Sequence, residues 1–309
     1  MRKLRILFMG TPDFSSVVLE KLAAAHEVTA VVTGLDKPVG RGYELRPSPV
    51  KVTAERLGIP VLQFEKVSRD GIDAVSALSP DLGVTAAFGQ ILSERFLSLF
   101  PFGVINVHAS LLPKYRGASP IQWALLNGDK TTGVTVMRTV KEVDAGDILL
   151  QEETEIGAKE TAGELFDRLA LLGGDALVKA VGLIESGRAV YVPQDHSLAT
   201  RCGMIGKEDG KARFDLTPEK FDCFVRGMTP WPSAWMMLEG KRVKILSAER
   251  AEGSGAPGEV LKASAKEGLV VACGDGAVRL TLIQPEGKGR MTDTAWLAGH
   301  KISAGVRIE

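Results

Sequence analysis

The chain has 309 residues, 45% of them hydrophobic and 25% charged, with 38 Lys+Arg against 38 Asp+Glu. That length and composition suit two globular domains with sizeable cores and exclude bulk disorder. The charge balance excludes a global signal for polyanion binding but leaves room for a local basic patch.

The N-terminal MRKLRILFMG is charged and then apolar for only about five residues, too few for a signal-peptide core or a membrane span. Residues 4–9 are predicted as a buried strand ended by Gly10-Thr11-Pro12-Asp13. A helix from about 14 to 25 and a β-branched run over 28–33 complete a βαβ opening, which points to a parallel sheet with helices on both faces. Gly10-Thr11-Pro12 is not GxGxxG, so a plain tight turn is favoured over a dinucleotide site. Residues 34–49 then break the rhythm, with Lys37, Arg41 and Arg46 set among glycines and prolines. A connection of that length is either a solvated surface loop or a mobile arm whose basic residues meet a polyanion.

The pattern next predicts a helix over 51–57, a short strand over 59–62, a helix over 72–78 and buried strands over 82–87 and 102–107. Residues 119–126 read as a helix with Ser119 as N-cap and Pro120 at its first position. A strand over 134–137 and an extended segment over 148–155 follow. Residues 161–186 are strongly helical through Leu165, Leu169, Leu172, Leu177 and Val181, with a kink or break expected at Gly173-Gly174. Neither period is sustained from 190 to 207, which reads as a linker. Beyond it, short strands over 235–238, 243–248, 258–261, 269–272 and 278–283 suggest a small antiparallel barrel or sandwich. The expected organisation is therefore an α/β domain over 1–189, a linker over 190–207 and a β-rich domain over 208–309. The last of these is near neutral, with 15 basic against 14 acidic residues.

The residues that carry chemistry lie at the end of the 102–107 strand and in a loop some thirty residues later. Asn106 and His108 stand at i and i+2, so on a strand both point the same way. At the carboxyl end of a strand in an open α/β sheet that side opens to the ligand crevice. An amide N–H suits a carbonyl oxygen gaining negative charge, and an imidazole suits the same oxygen or a reacting nitrogen. Asp144, in Asp144-Ala145-Gly146-Asp147, would orient and charge the imidazole or pass a proton through water. GxSxG is absent, which disfavours a covalent acyl-enzyme, and no metal-ligand spacing such as HExxH occurs. His26, His196 and His300 stand in helix, linker and tail contexts and are expected to take no part. The three cysteines, Cys202, Cys223 and Cys273, have no CxxC spacing, which suits a reducing cytoplasm rather than a disulfide framework or a zinc site.

The stretch INVHASLLPKYRGASPIQWALLNGD, followed by TGVTVM and VDAGDIL, closely resembles the folate-dependent formyltransferases. MGTPDF, GRGYELRPSPVK, KEDG and PWPSAW resemble the branch of that family whose acceptor is a tRNA, and the likeness runs essentially end to end. The resemblance implies a Rossmann-like formyltransferase domain with a parallel-rich sheet, followed by a small OB-like β-barrel that helps to hold the tRNA acceptor arm. It implies transfer of the formyl group of 10-formyltetrahydrofolate to the amine of initiator methionyl-tRNA, with no metal, in a cytoplasmic monomer free of membranes. Carried over residue by residue, it makes Asn106, His108 and Asp144 the catalytic set. Ser110, Leu111, Leu112 and Pro113 would line the folate site, and Phe88, Gly89, Gln90, Ile91 and Leu92 would pack against the pterin. Arg41, with Lys37 and Arg46, would approach the tRNA. Two other readings stay open: formyl transfer to a small amine such as glycinamide ribonucleotide or an amino sugar, and a catalytically silent RNA-binding module.

Overall fold

The computed structural model describes residues 3–39 and 43–308. They form two compact units. The first comprises the chain up to Gly117, Thr131–Glu155 and Phe166–Cys202; the second comprises Ala118–Lys130, Ile156–Leu165 and the chain from Gly203. All four tryptophans (Trp123, Trp231, Trp235 and Trp296) belong to the second unit, and all three tyrosines (Tyr43, Tyr115 and Tyr191) to the first.

The chain opens with β1 (Ile6–Gly10), α1 (Asp13–Ala25) and β2 (Val28–Thr33). The glycine- and proline-rich stretch that follows is not irregular throughout. It holds a short antiparallel pair, β3 (Lys37–Val39) and β4 (Glu44–Arg46), followed by α2 (Pro49–Arg56), which is capped by the Ser48 hydroxyl accepting from the Lys51 N–H. Then come β5 (Val61–Gln63), the short helices α3 (Val67–Asp70) and α4 (Ile72–Ala77), β6 (Leu82–Ala86), α5 (Glu94–Leu97) and β7 (Val104–His108). After β8 (Arg116–Gly117) the chain passes through α6 (Pro120–Asn127) of the second unit and returns as β9 (Thr131–Arg138) and β10 (Ile148–Glu155). The long helix α7 (Ala162–Glu185) and β11 (Arg201–Cys202), which pairs with β8, complete this part.

The main sheet of the first unit has the order β10-β9-β7-β6-β1-β2-β5. The five strands from β7 to β5 are parallel, and β9 runs antiparallel to both β7 and β10. Strands β1, β6 and β7 are almost wholly buried, so they read in sequence as continuous apolar runs rather than alternating ones. Their carboxyl ends are level, with Gly10 beside Ala86 and Ala86 beside Val107. The strand order reverses between β1 and β6, and such a switch point is where open α/β sheets leave a crevice for ligands.

Of the kink or break expected at Gly173-Gly174, the break does not occur: helix α7 is continuous through the pair. The glycines serve close packing instead. A Cβ on Gly173 would sit 3.0 Å from a methyl of Val107 in β7, and one on Gly174 would sit 2.7 Å from the Lys21 side chain in α1. Tertiary packing outweighs the roughly 1 kcal/mol that each glycine costs a helix.

In the second unit α8 (Pro218–Met228) precedes β12 (Ala234–Leu238), β13 (Lys241–Ala251), β14 (Val260–Ser264), β15 (Gly268–Cys273), β16 (Gly276–Pro285), β17 (Met291–Thr292) and α9 (Asp293–Leu297). The sheet is antiparallel in the order β12-β13-β16-β15-β14, with β17 added on β16. Register shifts in β13 between Ile245 and Glu249 increase its local twist. Helix α8 has no counterpart in the sequence reading. Phe221, Phe224, Val225 and Met228 recur at the helical period, and all four join the buried core of this unit. A further polar anchor is Asp293, 1% exposed, which accepts from Arg279 Nε at 2.8 Å, Arg279 Nη2 at 3.1 Å and the Leu269 N–H at 2.9 Å.

Candidate active site

Strand β7 ends with Asn106 and His108 on the same side of the sheet, at the level edge formed by β1, β6 and β7. Asn106 lies beside Thr85 of β6 in register. The buried Thr85 hydroxyl donates to Asn106 Oδ1 at 2.8 Å, so the oxygen of the amide is engaged and its N–H₂ group is the free donor end. His108 is also buried. Its Nε2 lies 2.8 Å from the carbonyl oxygen of Tyr115. A carbonyl only accepts, so Nε2 carries the proton in that contact. The other ring nitrogen, Nδ1, faces Asp144 Oδ2 at 3.6 Å, while Asp144 Oδ2 accepts from the Gly117 N–H at 2.8 Å.

The three residues singled out in sequence thus converge in the first unit. Asp144 and Tyr115 hold φ of 53° and 60°, both in the left-handed region. Non-glycine residues there carry backbone strain, which clusters at functional sites. The Asp144 loop is also tightly folded: a Cβ on Gly146 would fall 1.8 Å from the Arg138 carbonyl, so only glycine fits.

Residues 110–113 divide into two kinds. Ser110 and Leu112 are buried, and they turn into the protein. The Ser110 hydroxyl donates to the Lys114 carbonyl, while Thr135 Oγ1 donates to the Ser110 carbonyl and accepts from the Leu112 N–H. Gln151 Nε2 donates to the Leu112 carbonyl at 2.8 Å. Leu111 and Pro113 are half-buried and supply the apolar surface of this loop. The segment after β6 divides similarly. Phe88 and Leu92 enter the core, and Gln90 is tied to the backbone of Val67 and Phe64. Gly89 is exposed and Ile91 is 83% exposed, so these two present the outer face. Large apolar side chains that exposed are notable only where something covers them, and this one stands at the switch-point edge.

On the β3–β4 hairpin Lys37 and Arg46 are directly opposed across the strands and both are exposed. Arg41 lies outside the described residues. Among the described residues no group of three or more His, Cys, Asp or Glu side chains is placed to hold a metal ion. No helix among them is long and apolar enough to cross a membrane. Among the described residues Cys202, Cys223 and Cys273 are buried and none forms a disulfide.

Several residues around the site escape the sequence reading. Thr85, Thr135 and Gln151 orient Asn106 and the 110–113 loop from neighbouring strands. A polar residue inside an apolar strand, as in LGVTA, is the one signal that could have found Thr85. Gln194 falls in the stretch read as a linker, where nothing in the local pattern distinguishes it, yet it is buried. His196, expected to take no part in the chemistry, accepts from Arg116 Nη2 at 3.2 Å through Nδ1, since a guanidinium only donates.

Comparison with known proteins places these features. Residues 2–181 match the formyl transferase family, and residues 204–301 match the formyl transferase C-terminal domain. A methionyl-tRNA formyltransferase of Macrococcus caseolyticus is 49% identical over 298 residues, covering 96% of both chains. One of Desulfotalea psychrophila is 47% identical over 307 residues, covering 98% of this chain and 95% of its own. An N-formyltransferase from Helicobacter canadensis, solved with folinic acid and dTDP-3-aminofucose, shares the fold at a TM-score of 0.67 and 18% identity, over 89% of this chain and 98% of its own. By these matches over nearly its whole length, the chain belongs to the methionyl-tRNA formyltransferase family of formyl transferases.

Proposed function

We propose that this protein transfers a formyl group from 10-formyltetrahydrofolate to the free amine of initiator methionyl-tRNA. The observation that carries the reading is the meeting of Asn106, His108 and Asp144 at the carboxyl edge of β7, in a chain of this family. The folate supplies a carbonyl carbon open to attack by an amine. As the amine nitrogen gains that carbon, the carrier nitrogen loses it, and one proton moves from the first to the second. The N–H₂ group of Asn106, oriented by Thr85, donates to the carbonyl oxygen as it takes up negative charge. His108 shares that charge when its Nε2–H turns from the Tyr115 carbonyl to the same oxygen. Asp144, with its carboxylate turned to His108 Nδ1, keeps the imidazole oriented and helps the proton to cross.

The residues present fit such a donor. The exposed Gly89 and Ile91 and the half-buried Leu111 and Pro113 give their two segments mainly apolar outer faces, which suit a flat ring system. Ser110, Leu112, Phe88, Gln90 and Leu92 act from behind by holding those segments. Lys37 and Arg46, with Arg41 between them in the chain, are assigned to the tRNA. Like charges directly opposed on a hairpin repel, and a phosphate between them removes that cost. We assign the chemistry to the first unit, which takes in 190–202 of the stretch read as a linker, and part of the tRNA grip to the second. The protein is read as a cytoplasmic monomer.

The test is direct. Incubation with 10-formyltetrahydrofolate and charged initiator tRNA yields formyl-methionine after mild hydrolysis, and an elongator methionyl-tRNA yields much less. Transfer to glycinamide ribonucleotide or an amino sugar, with none to the tRNA, overturns the assignment.

A further inference from the structure

Asp144 is held from both ends by one small circuit of bonds. Its carboxylate accepts from the Gly117 N–H at 2.8 Å. Gly117 is bonded in the chain to Arg116, which is 3% exposed. The guanidinium of Arg116 donates to Gln194 Oε1 from Nε at 3.1 Å and from Nη2 at 2.6 Å. Gln194 then closes the circuit. Its Nε2 donates to the carbonyl of Asp144 at 2.9 Å and to that of Gly146 at 2.7 Å.

The orientation of this amide follows from its partners. Arg116 can only donate, so the oxygen of Gln194 must face it, and the N–H₂ group must face the loop. Both hydrogens and both lone pairs of the side chain are thereby used, in a residue 5% exposed. The loop needs such a support. Asp144 sits at φ 53°, and Gly146 is pressed against the Arg138 carbonyl, a conformation that local propensity does not favour. In the strand pairing of β9 and β10 the partners run from Met137 with Ile148 outward, so the loop carbonyls at 144 and 146 lie beyond the ladder and have no strand partner to fix them. Gln194 replaces that ladder with a side chain.

We propose that Gln194 is a positioning residue for the reaction: its amide locks the 144–146 loop so that the Asp144 carboxylate stays turned to His108 Nδ1. Arg116 acts behind it by fixing which end of the amide meets the loop. The inference rests on the catalytic role proposed for Asp144. It also gives the stretch read as a linker a part in the chemistry.

The experiment compares Gln194→Glu and Gln194→Met with Asp144→Asn and with the double variant Gln194→Glu/Asp144→Asn, in single-turnover formyl transfer. Glutamate keeps an oxygen for Arg116 but replaces the two donors with an oxygen that repels both loop carbonyls. Methionine keeps the shape and removes every hydrogen bond. Displacement of a catalytic group by about 1 Å costs on the order of a hundredfold. Both single variants are expected to lower kcat by about ten- to a hundredfold, with KM for tRNA and for the folate within about twofold. In the Asp144→Asn background Gln194→Glu should cost less than about twofold more, since its effect passes through the carboxylate.

Full kcat in Gln194→Glu, or losses that simply multiply in the double variant, would overturn the inference while leaving Asp144 in place. Full kcat in Asp144→Asn would instead remove the catalytic reading beneath it. If circular dichroism shows that neither Gln194 variant folds, the amide serves the fold as a whole and the inference also fails.

Discussion

Among the aspartates that face a cationic or cation-forming partner, Asp293 and Asp144 are treated in opposite ways. Asp293 in the second unit is saturated: Arg279 grips it through two nitrogens at 2.8 and 3.1 Å, and the Leu269 and Thr294 N–H groups complete its shell. Asp144 in the first unit stops 3.6 Å short of His108 Nδ1, and it rests on one backbone N–H. A carboxylate whose acceptor sites are all filled at close range stabilises a fold and can do little else. One held slightly apart, on a strained loop that is itself braced, keeps its charge available to a ring that must change its bonding during a reaction. Saturation marks the structural site, and the incomplete contact marks the functional one.

The contrast can be broken most severely at the saturated pair. Arg279→Leu removes the partner of a carboxylate that is 1% exposed, and leaving a buried charge unpaired costs about 3–5 kcal/mol. Urea unfolding of this variant should show that loss in the second unit. The counterpart substitution in the first unit, Asp144→Asn, should shift the unfolding midpoint very little and lower kcat by about a hundredfold or more. Asn106→Ala should likewise cost a hundred- to a thousandfold in kcat, about 3–4 kcal/mol of barrier, with KM nearly unchanged. A large stability loss in Asp144→Asn with activity retained would erase the distinction.

Acid sharpens it further. Burial alone raises the pKa of Asp293, but the bonds from Arg279, Leu269 and Thr294 outweigh that and hold it below the ordinary value of 3.8. A carboxylate depressed on folding binds protons more readily when unfolded, so it adds stability at neutral pH that fades as pH falls below about 4. Unfolding free energy should therefore drop between roughly pH 5 and pH 2 in the native protein, and less steeply in Asp293→Asn. The smallest effect belongs to the hairpin. Lys37→Ala with Arg46→Ala should weaken tRNA use and reduce the slope of log affinity against log salt by about one to two, leaving folate KM within about twofold. Equal loss of folate and tRNA binding would detach that hairpin from the acceptor.

Much of this was legible in the residues alone, for reasons that differ from place to place. Residues 28–33 and 148–155 form strands with the bounds read from sequence, because long β-branched or alternating runs have few competing conformations. Asn106 and His108 could be paired from their i, i+2 spacing. Helix α8 was hidden because its apolar face of Phe221, Phe224, Val225 and Met228 is interleaved with Glu219, Lys220, Asp222 and Arg226, in a stretch that follows a linker. The short strands at 37–39 and 44–46 carry Pro38 and sit in a turn-rich context that conceals them. The Gly173-Gly174 pair misled because a helix breaker and a close-packing site look alike until the neighbouring Val107 and Lys21 are in place. Gln194 was illegible in principle, since its partners Asp144 and Arg116 are 50 and 78 positions away.

The separation of tryptophans and tyrosines between the two units has an optical consequence. Selective tryptophan excitation reads only the second unit, while residual tyrosine emission at shorter wavelength arises only from the first. One denaturant titration of the unlabelled protein therefore yields two melting curves. Their coincidence or divergence reports whether the two units unfold as one cooperative body, with no dye or added probe.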